Sequence, residues 1–277
     1  MTQAGAASLE TLASLTLMGA GKMGGAMLEG WLAAGLAPER ATVLDPNPSE
    51  AIRALCAGRG VGLNPDRPAE PEVLVLGIKP QGLEAAAPVA AALAGEGTLV
   101  VSILAGKTVA DLRARLPRAR AIVRAMPNLP ASIGRGATGA YATSEVTDAQ
   151  RRAADALLAA NGLVEWVAEE GLIDAVTALS GSGPAYVFLL AEAMAAAGAR
   201  AGLPADLAAR LARATVSGAG ELLARSALGP DELRRNVTSP GGTTAAALDV
   251  LMAEGALPDL VVEAVAAAKR RAGELAG

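Results

Sequence analysis

The sequence predicts an α/β protein: an open, mostly parallel sheet with helices on both faces, followed by an all-helical domain. Three observations carry that prediction. The apolar run Leu15–Met18 breaks into Gly19-Ala20-Gly21-Lys22-Met23-Gly24, and a helix-like stretch follows at once. Short apolar runs then alternate with helical patterns to about residue 168. Beyond Glu169, Pro184, Pro204, Pro230 and Pro258 open apolar-periodic segments, and Gly202, Gly229 and Gly255 stand just past segment ends. Proline at the start and glycine past the end is the boundary asymmetry of successive helices. The expected domains are therefore 1–168 and 169–277.

In order along the chain, 23–34 suits a helix, and Ala41–Leu44 a short strand ending at Asp45. Ser49 is placed to cap a helix over 49–57. The run 72–78 is too short for a typical helix and reads as a buried parallel strand that ends at Lys79-Pro80. Strands at 98–103 and 121–124 bracket a helix at 108–116; 137–141, a helix near 147–160 and 163–167 complete the first part.

Composition narrows the chemistry. The chain has 277 residues, enough for a sizeable core, but only 2% are aromatic, so that core is built from Ala, Leu and Val. Histidine is absent. This removes Ser-His-Asp and Cys-His nucleophiles, a histidine base and histidine-ligated zinc together. The single cysteine, Cys56, excludes an internal disulfide or a multi-cysteine metal site, and reads as a small core residue. No metal is expected. A net charge of −4 without a long basic run argues against nucleic acid. Residues 1–13 lack a basic start and carry Glu10, and 185–199 is mostly Ala with Glu192 inside it. Neither a signal peptide nor a membrane span is expected, and a reducing cytoplasm fits. The Ala-rich stretches 193–201 and 264–268 offer little bulk for a private core, so the helical domain is expected to pack against a second copy.

The strand, G-x-G-x-x-G turn and helix read as a Rossmann-type dinucleotide-binding unit, the alternative being a glycine-rich turn with no ligand. Gly19 permits the turn, Gly21 lets the backbone approach a pyrophosphate, and Gly24 lets the helix pack on the strand. The N–H groups at Ala20, Lys22 and Met23 open the helix, whose N-terminus favours an anion. Asp45, about 20 residues beyond Gly24, is placed to bind the ribose hydroxyls, which favours NAD; alternatively it caps its own loop. Lys79 and Pro80 lie beyond a strand end, where ligand crevices form, and Lys79 is either a ligand to ribose, phosphate or carboxylate or a solvated loop residue. Ala105 and Met126-Pro127-Asn128 hold equivalent positions on the nicotinamide side, and Asn64 is a candidate for the adenosine half. Ser182, with Pro184 in the first turn, reads as a helix cap, although the glycines around it suggest close approach of the cofactor domain. Ser239-Pro240-Gly241-Gly242-Thr243-Thr244 is a second glycine-rich loop opening a helix; its N–H groups and hydroxyls suit a small carboxylate, or it is a plain capping loop.

Taken together, Gly19 to Gly24, Ile78-Lys79-Pro80, Arg124-Ala125-Met126-Pro127-Asn128-Leu129-Pro130, 179–186 and 237–244 resemble the pyrroline-5-carboxylate reductase family over nearly the whole chain. The resemblance implies reduction of Δ1-pyrroline-5-carboxylate to L-proline with NADPH or NADH, the last step of proline biosynthesis. It implies a homodimer with interleaved helical domains, assembled into a homodecamer. It assigns Ser239, Gly241, Gly242, Thr243 and Thr244 to the substrate, with the Thr244 hydroxyl catalytic near the imine nitrogen, and Met126, Pro127 and Asn128 to the nicotinamide. A cyclic imine is basic enough that no strong side-chain acid is required, which fits the missing histidine. Two departures stand out: Leu129 replaces a frequent threonine, and Asp45 leans toward NADH where the family default is NADPH. The alternatives are a related cyclic imine reductase and a non-catalytic nicotinamide-binding sensor. A hydroxy-acid reductase is disfavoured because the second domain carries no lysine before Lys269.

Overall fold

The computed structural model describes residues 9–276. The expectation for 1–13 falls partly outside that range. Of these, residues 9–181 with 268–276 pack as one compact unit, and Ser182–Ala267 as a second.

The first unit is built on an eight-stranded sheet in the order β3-β2-β1-β4-β5-β6-β7-β8. Its strands are β1 (Leu15–Met18), β2 (Ala41–Leu44), β3 (Gly62–Leu63), β4 (Val73–Leu76), β5 (Leu99–Ser102), β6 (Ile122–Met126), β7 (Gly136–Ala142) and β8 (Gly162–Trp166). Strands β1, β4 and β5 are buried along their whole length, as strands covered on both faces must be. Alternate residues feed two cores. Val73 and Val75 of β4 join one cluster with Trp31, Cys56 and Leu157. Leu74 and Leu76 join the other with Leu83 and Leu112. Helices α1 (Lys22–Ala33), α2 (Glu50–Arg59) and α5 (Asp148–Ala159) thus cover one face, and α3 (Leu83–Leu93) and α4 (Val109–Arg115) the other. Trp31 is fully buried, and its indole N–H donates to the Leu157 carbonyl at 2.7 Å, tying α1 to α5.

Local signals set the helix starts. The Ser49 hydroxyl accepts from the Ile52 N–H, as expected of a cap. Thr108 with Asp111 and Thr147 with Gln150 form capping boxes. Three details depart from expectation. Strand β3 is only Gly62–Leu63 and pairs with β2 alone, too short to carry a pattern. Strand β7 runs antiparallel to β6. Ser182 has helical backbone and makes no capping bond, because α6 (Leu172–Val176) continues through a π-helical turn, Thr177–Gly181, into α7 (Gly183–Arg200).

Cys56 is 2% exposed, and burial pushes its thiol pKa up. A thiol reagent should label the native chain slowly and the unfolded chain at once, because the thiolate is the reactive form. Fast labelling of the native chain would mean that α2 opens readily.

The second unit contains α7, α8 (Ala205–Arg225), α9 (Pro230–Asn236), α10 (Thr243–Leu251) and the start of α11 (Leu257–Ala276). Helices α7 and α8 form a hairpin, in which Gly198 faces Ala208 and Gly202 turns the chain at φ +104°. Only Ala208 and Ala212 are buried apolar residues among those described in this unit, whereas Phe188 is 59% and Leu189 62% exposed. The stretch Leu172–Arg200 is long and apolar enough to cross a membrane by length and composition. Glu192 lies near the middle of α7, and the exposed apolar residues continue on α8, α10 and α11.

Candidate active site

The strand order reverses around β1, which pairs with β2 on one side and β4 on the other. Crevices at the carboxyl ends of such strands bind ligands in open α/β sheets. A cavity of about 830 Å³ opens there, lined among others by Gly19, Asp45, Asn64, Ile78 and Lys79. Its size is that of a cofactor site.

The glycine loop has the shape its residues demand. Gly19 adopts φ +89°, and a Cβ there would lie 2.7 Å from the Ile78 backbone. A Cβ on Gly24 would collide with the Gly19 carbonyl oxygen, so α1 packs on the loop only with glycine at that position. Gly21 is the opposite case: a Cβ would meet nothing within 4 Å. That open space lies before a helix N-terminus that no side chain caps. A helix start without a capping side chain, beside open space, fits a pyrophosphate, although the Ala20 N–H is already taken by Asp45.

Asp45 is half-buried and tied to this loop. One carboxylate oxygen accepts from the Ala20 N–H at 2.9 Å, and the other from the Asn47 N–H at 2.8 Å. The loop-capping geometry is therefore present, with lone pairs remaining on each oxygen. Asn64 stands in the left-handed region at φ 48°. Its side chain pairs with the main chain of Asp45 in both directions, accepting from the N–H at 2.9 Å and donating to the carbonyl at 2.8 Å. Asn64 acts as a substitute strand partner that holds Asp45 in place. Lys79 is exposed and forms no ion pair among the described residues, and Pro80 opens the turn that leads to α3. Arg40, the nearest arginine before Asp45, instead donates to the Glu10 and Leu12 carbonyls.

Ala105 follows β5, Met126 ends β6 and Pro127 and Asn128 follow it, at the carboxyl ends of neighbouring strands, and none of the four lines the cavity. Ala105 is exposed, and Met126 and Pro127 are buried. The Asn128 amide is engaged at both ends: it donates to the Ser180 carbonyl and hydroxyl at 3.1 and 3.2 Å and accepts from the Ala137 N–H at 2.9 Å. It pins the loop after β6 to the π-helical turn. A Cβ on Gly181 would meet the Met126 side chain at an ordinary 3.7 Å and one on Gly183 would meet nothing within 4 Å, so neither glycine is required by close packing here.

The expected substrate residues lie in the second unit. Gly241 has φ +68°, and Gly242, whose N–H donates to the Ser239 carbonyl, stands at the N-cap of α10 without a capping side chain. Thr243 and Thr244 occupy the first turn. The Gly242 main chain folds over Ser239 so closely that a Cβ would lie 3.1 Å from its carbonyl oxygen. Among the described residues, nothing in the chain hydrogen-bonds the hydroxyls of Ser239, Thr243 and Thr244. Arg124 belongs to a motif already quoted, but the half-buried carboxylates of Glu170 and Asp174 that face it carried no sequence signal beyond their residue type.

Comparison with known proteins gives the family. The family model described as pyrroline-5-carboxylate reductase dimerisation matches residues 170–275. One described as NADP oxidoreductase, coenzyme F420-dependent, matches 14–106. The pyrroline-5-carboxylate reductase of Pseudomonas aeruginosa is 42% identical over 266 residues, which cover 95% of this chain and 96% of the relative. The chain belongs to the pyrroline-5-carboxylate reductase family. This makes it an oxidoreductase with a dimerisation region. Among solved structures, the pyrroline-5-carboxylate reductase of Coxiella burnetii superposes with a TM-score of 0.89 at 35% identity, covering 96% of this chain and all of that one. The Plasmodium falciparum enzyme, solved with NADP bound, gives 0.78 at 25% identity, covering 97% and 99%.

Proposed function

We propose that this chain reduces Δ1-pyrroline-5-carboxylate to L-proline, with the dinucleotide held by domain 1–168 and the substrate by domain 169–277. The observation that carries the reading is the uncapped glycine loop at the sheet's reversal point, in a chain aligned almost end to end with a pyrroline-5-carboxylate reductase. When bound, the dinucleotide supplies the hydride. Gly19, Ala20, Gly21, Lys22, Met23 and Gly24 cradle its pyrophosphate, Asp45 takes the adenosine ribose, and Asn64, Lys79 and Pro80 border that half. Ala105, Met126, Pro127 and Asn128 bound the nicotinamide side. Ser239, Gly241, Gly242 and Thr243 hold the substrate carboxylate at the start of α10, and the Thr244 hydroxyl hydrogen-bonds the imine nitrogen and passes to it a proton that water replaces, or a bound water supplies that proton directly, as the imine becomes an amine. Orientation and exclusion of water do most of the remaining work. Loss of reduced-nicotinamide absorbance only when pyrroline-5-carboxylate is present, with proline in the product, tests the reading. Dinucleotide binding without turnover would overturn it in favour of a sensor.

Asp45 supports a preference for NADH. A carboxylate beside the ribose repels a 2′-phosphate, and Arg40 is engaged elsewhere. Asp45→Ser should raise the NADPH-to-NADH ratio of kcat/KM about 10-fold, by removal of like-charge repulsion. It should also cost some stability, because it breaks the bond to the Ala20 N–H. An unchanged ratio would show that Asp45 serves only the loop.

The assembly we infer is a homodimer, built further into a homodecamer, in the cytoplasm and without nucleic-acid or membrane partners. Its support is the dimerisation model matched over 170–275 and the largely exposed apolar residues of the helical unit.

A further inference from the structure

We propose that Glu170 is a positioning residue that sets the spacing between the loops after β5 and β6; the proposal rests on the reading that those loops flank the nicotinamide. A single carboxylate oxygen of Glu170 accepts two hydrogen bonds. One comes from the Val109 N–H, at the first residue of α4, at 2.7 Å. The other comes from Arg124 Nη1 on β6 at 3.1 Å. Arg124 is 3% exposed, its Nη2 lies 3.5 Å from Asp174, and its buried Nε has no partner in the chain. A guanidinium so far from water keeps its place only if carboxylates hold it.

The chain order gives this bond its significance. Val109 ends the loop that contains Ala105, and Arg124 stands two residues before Met126. Strand pairing fixes Ser102 opposite Arg124, but the sheet's own bonds do not reach the loops beyond. Glu170 closes that gap by linking the start of α4 to β6. Among the described residues, the hydrogen bonds of Glu170 reach none assigned to cofactor or substrate, so its effect passes through the two loops. Misplacement of reacting groups by about 1 Å can cost about 10²-fold in rate.

The test uses the full chain. Glu170→Ala removes both bonds, and Glu170→Gln keeps an oxygen that can accept them. Val109→Pro removes the N–H at a first-turn position that tolerates proline, and exchanges the buried valine side chain for a proline ring of similar size, so it provides a second route if Glu170→Ala does not fold. Ala105→Leu places bulk on the assumed nicotinamide side as a control. The expected result is a kcat about 10-fold lower for Glu170→Ala and Val109→Pro, with dinucleotide Kd unchanged and kcat largely restored in Glu170→Gln. Unchanged kcat in Glu170→Ala or Val109→Pro, with Ala105→Leu impaired, overturns the strut and leaves the nicotinamide reading standing. Lower melting temperature with unchanged kcat likewise reduces Glu170 to a structural role. If Ala105→Leu is also fully active, the nicotinamide reading fails and the proposal with it.

Discussion

Thr244→Ala should lower kcat by about 10²-fold, the lower end of what a positioned proton donor contributes. Dinucleotide Kd should not change, because Thr244 lies in the second unit and the glycine loop in the first. The hydroxyl sits in the first turn of α10 and makes no hydrogen bond within the described chain, so its loss leaves no internal partner unsatisfied. Folding should therefore survive. Thr244→Ser keeps the hydroxyl and should retain most of the activity. The deciding measurement is kcat at saturating dinucleotide and imine for the three proteins. If the alanine variant turns over within about two-fold of the parent, water delivers the proton and the assignment fails.

The second large effect is expected at the glycine loop, where two substitutions should separate binding from folding. Gly21→Ala adds a methyl group where no protein atom lies within 4 Å. The melting temperature without ligand should barely move, whereas dinucleotide affinity should fall about 10- to 100-fold, because the methyl occupies the space that the backbone leaves for the pyrophosphate. Gly24→Ala places its methyl against the Gly19 carbonyl and should lower the melting temperature as well as the affinity, by forcing α1 away from β1. Titration of each variant with reduced dinucleotide, followed by fluorescence and a thermal melt, distinguishes them. Undiminished affinity in Gly21→Ala would remove the loop from the binding site.

Much of the architecture was legible because the signals were local. Leu15–Met18 into Gly19, Ser49 before its helix, and the Pro/Gly punctuation after Glu169 each act within a few residues. What was not legible depends on distant partners. Strand β3 exists only because Thr42 and Val43 offer it a ladder. The reversed direction of β7 is set by its pairing with β6, which no periodicity encodes. Ser182 has the composition of a cap, but the π-helical turn before it already supplies the helix with its preceding residues. At the candidate site, the types and positions of Asp45, Asn64 and Asn128 were visible, but their bonds were not. Both amides hold backbone across gaps of 19 and 52 residues, and Glu170 reaches Val109 across 61. The strut was missed because a glutamate in a short linker looks solvated until its neighbours are known.

The sparse interior of Ser182–Ala267 makes the enzyme's durability depend on how much of it is present. With Ala208 and Ala212 as its buried apolar residues among those described, the helical unit has little of its own to hold it against unfolding. Contacts made with another copy then enter the stability by mass action. If the helical unit pairs with a second copy as proposed, dilution acts on the chain as a mild denaturant, and melting midpoints should fall as the protein is diluted.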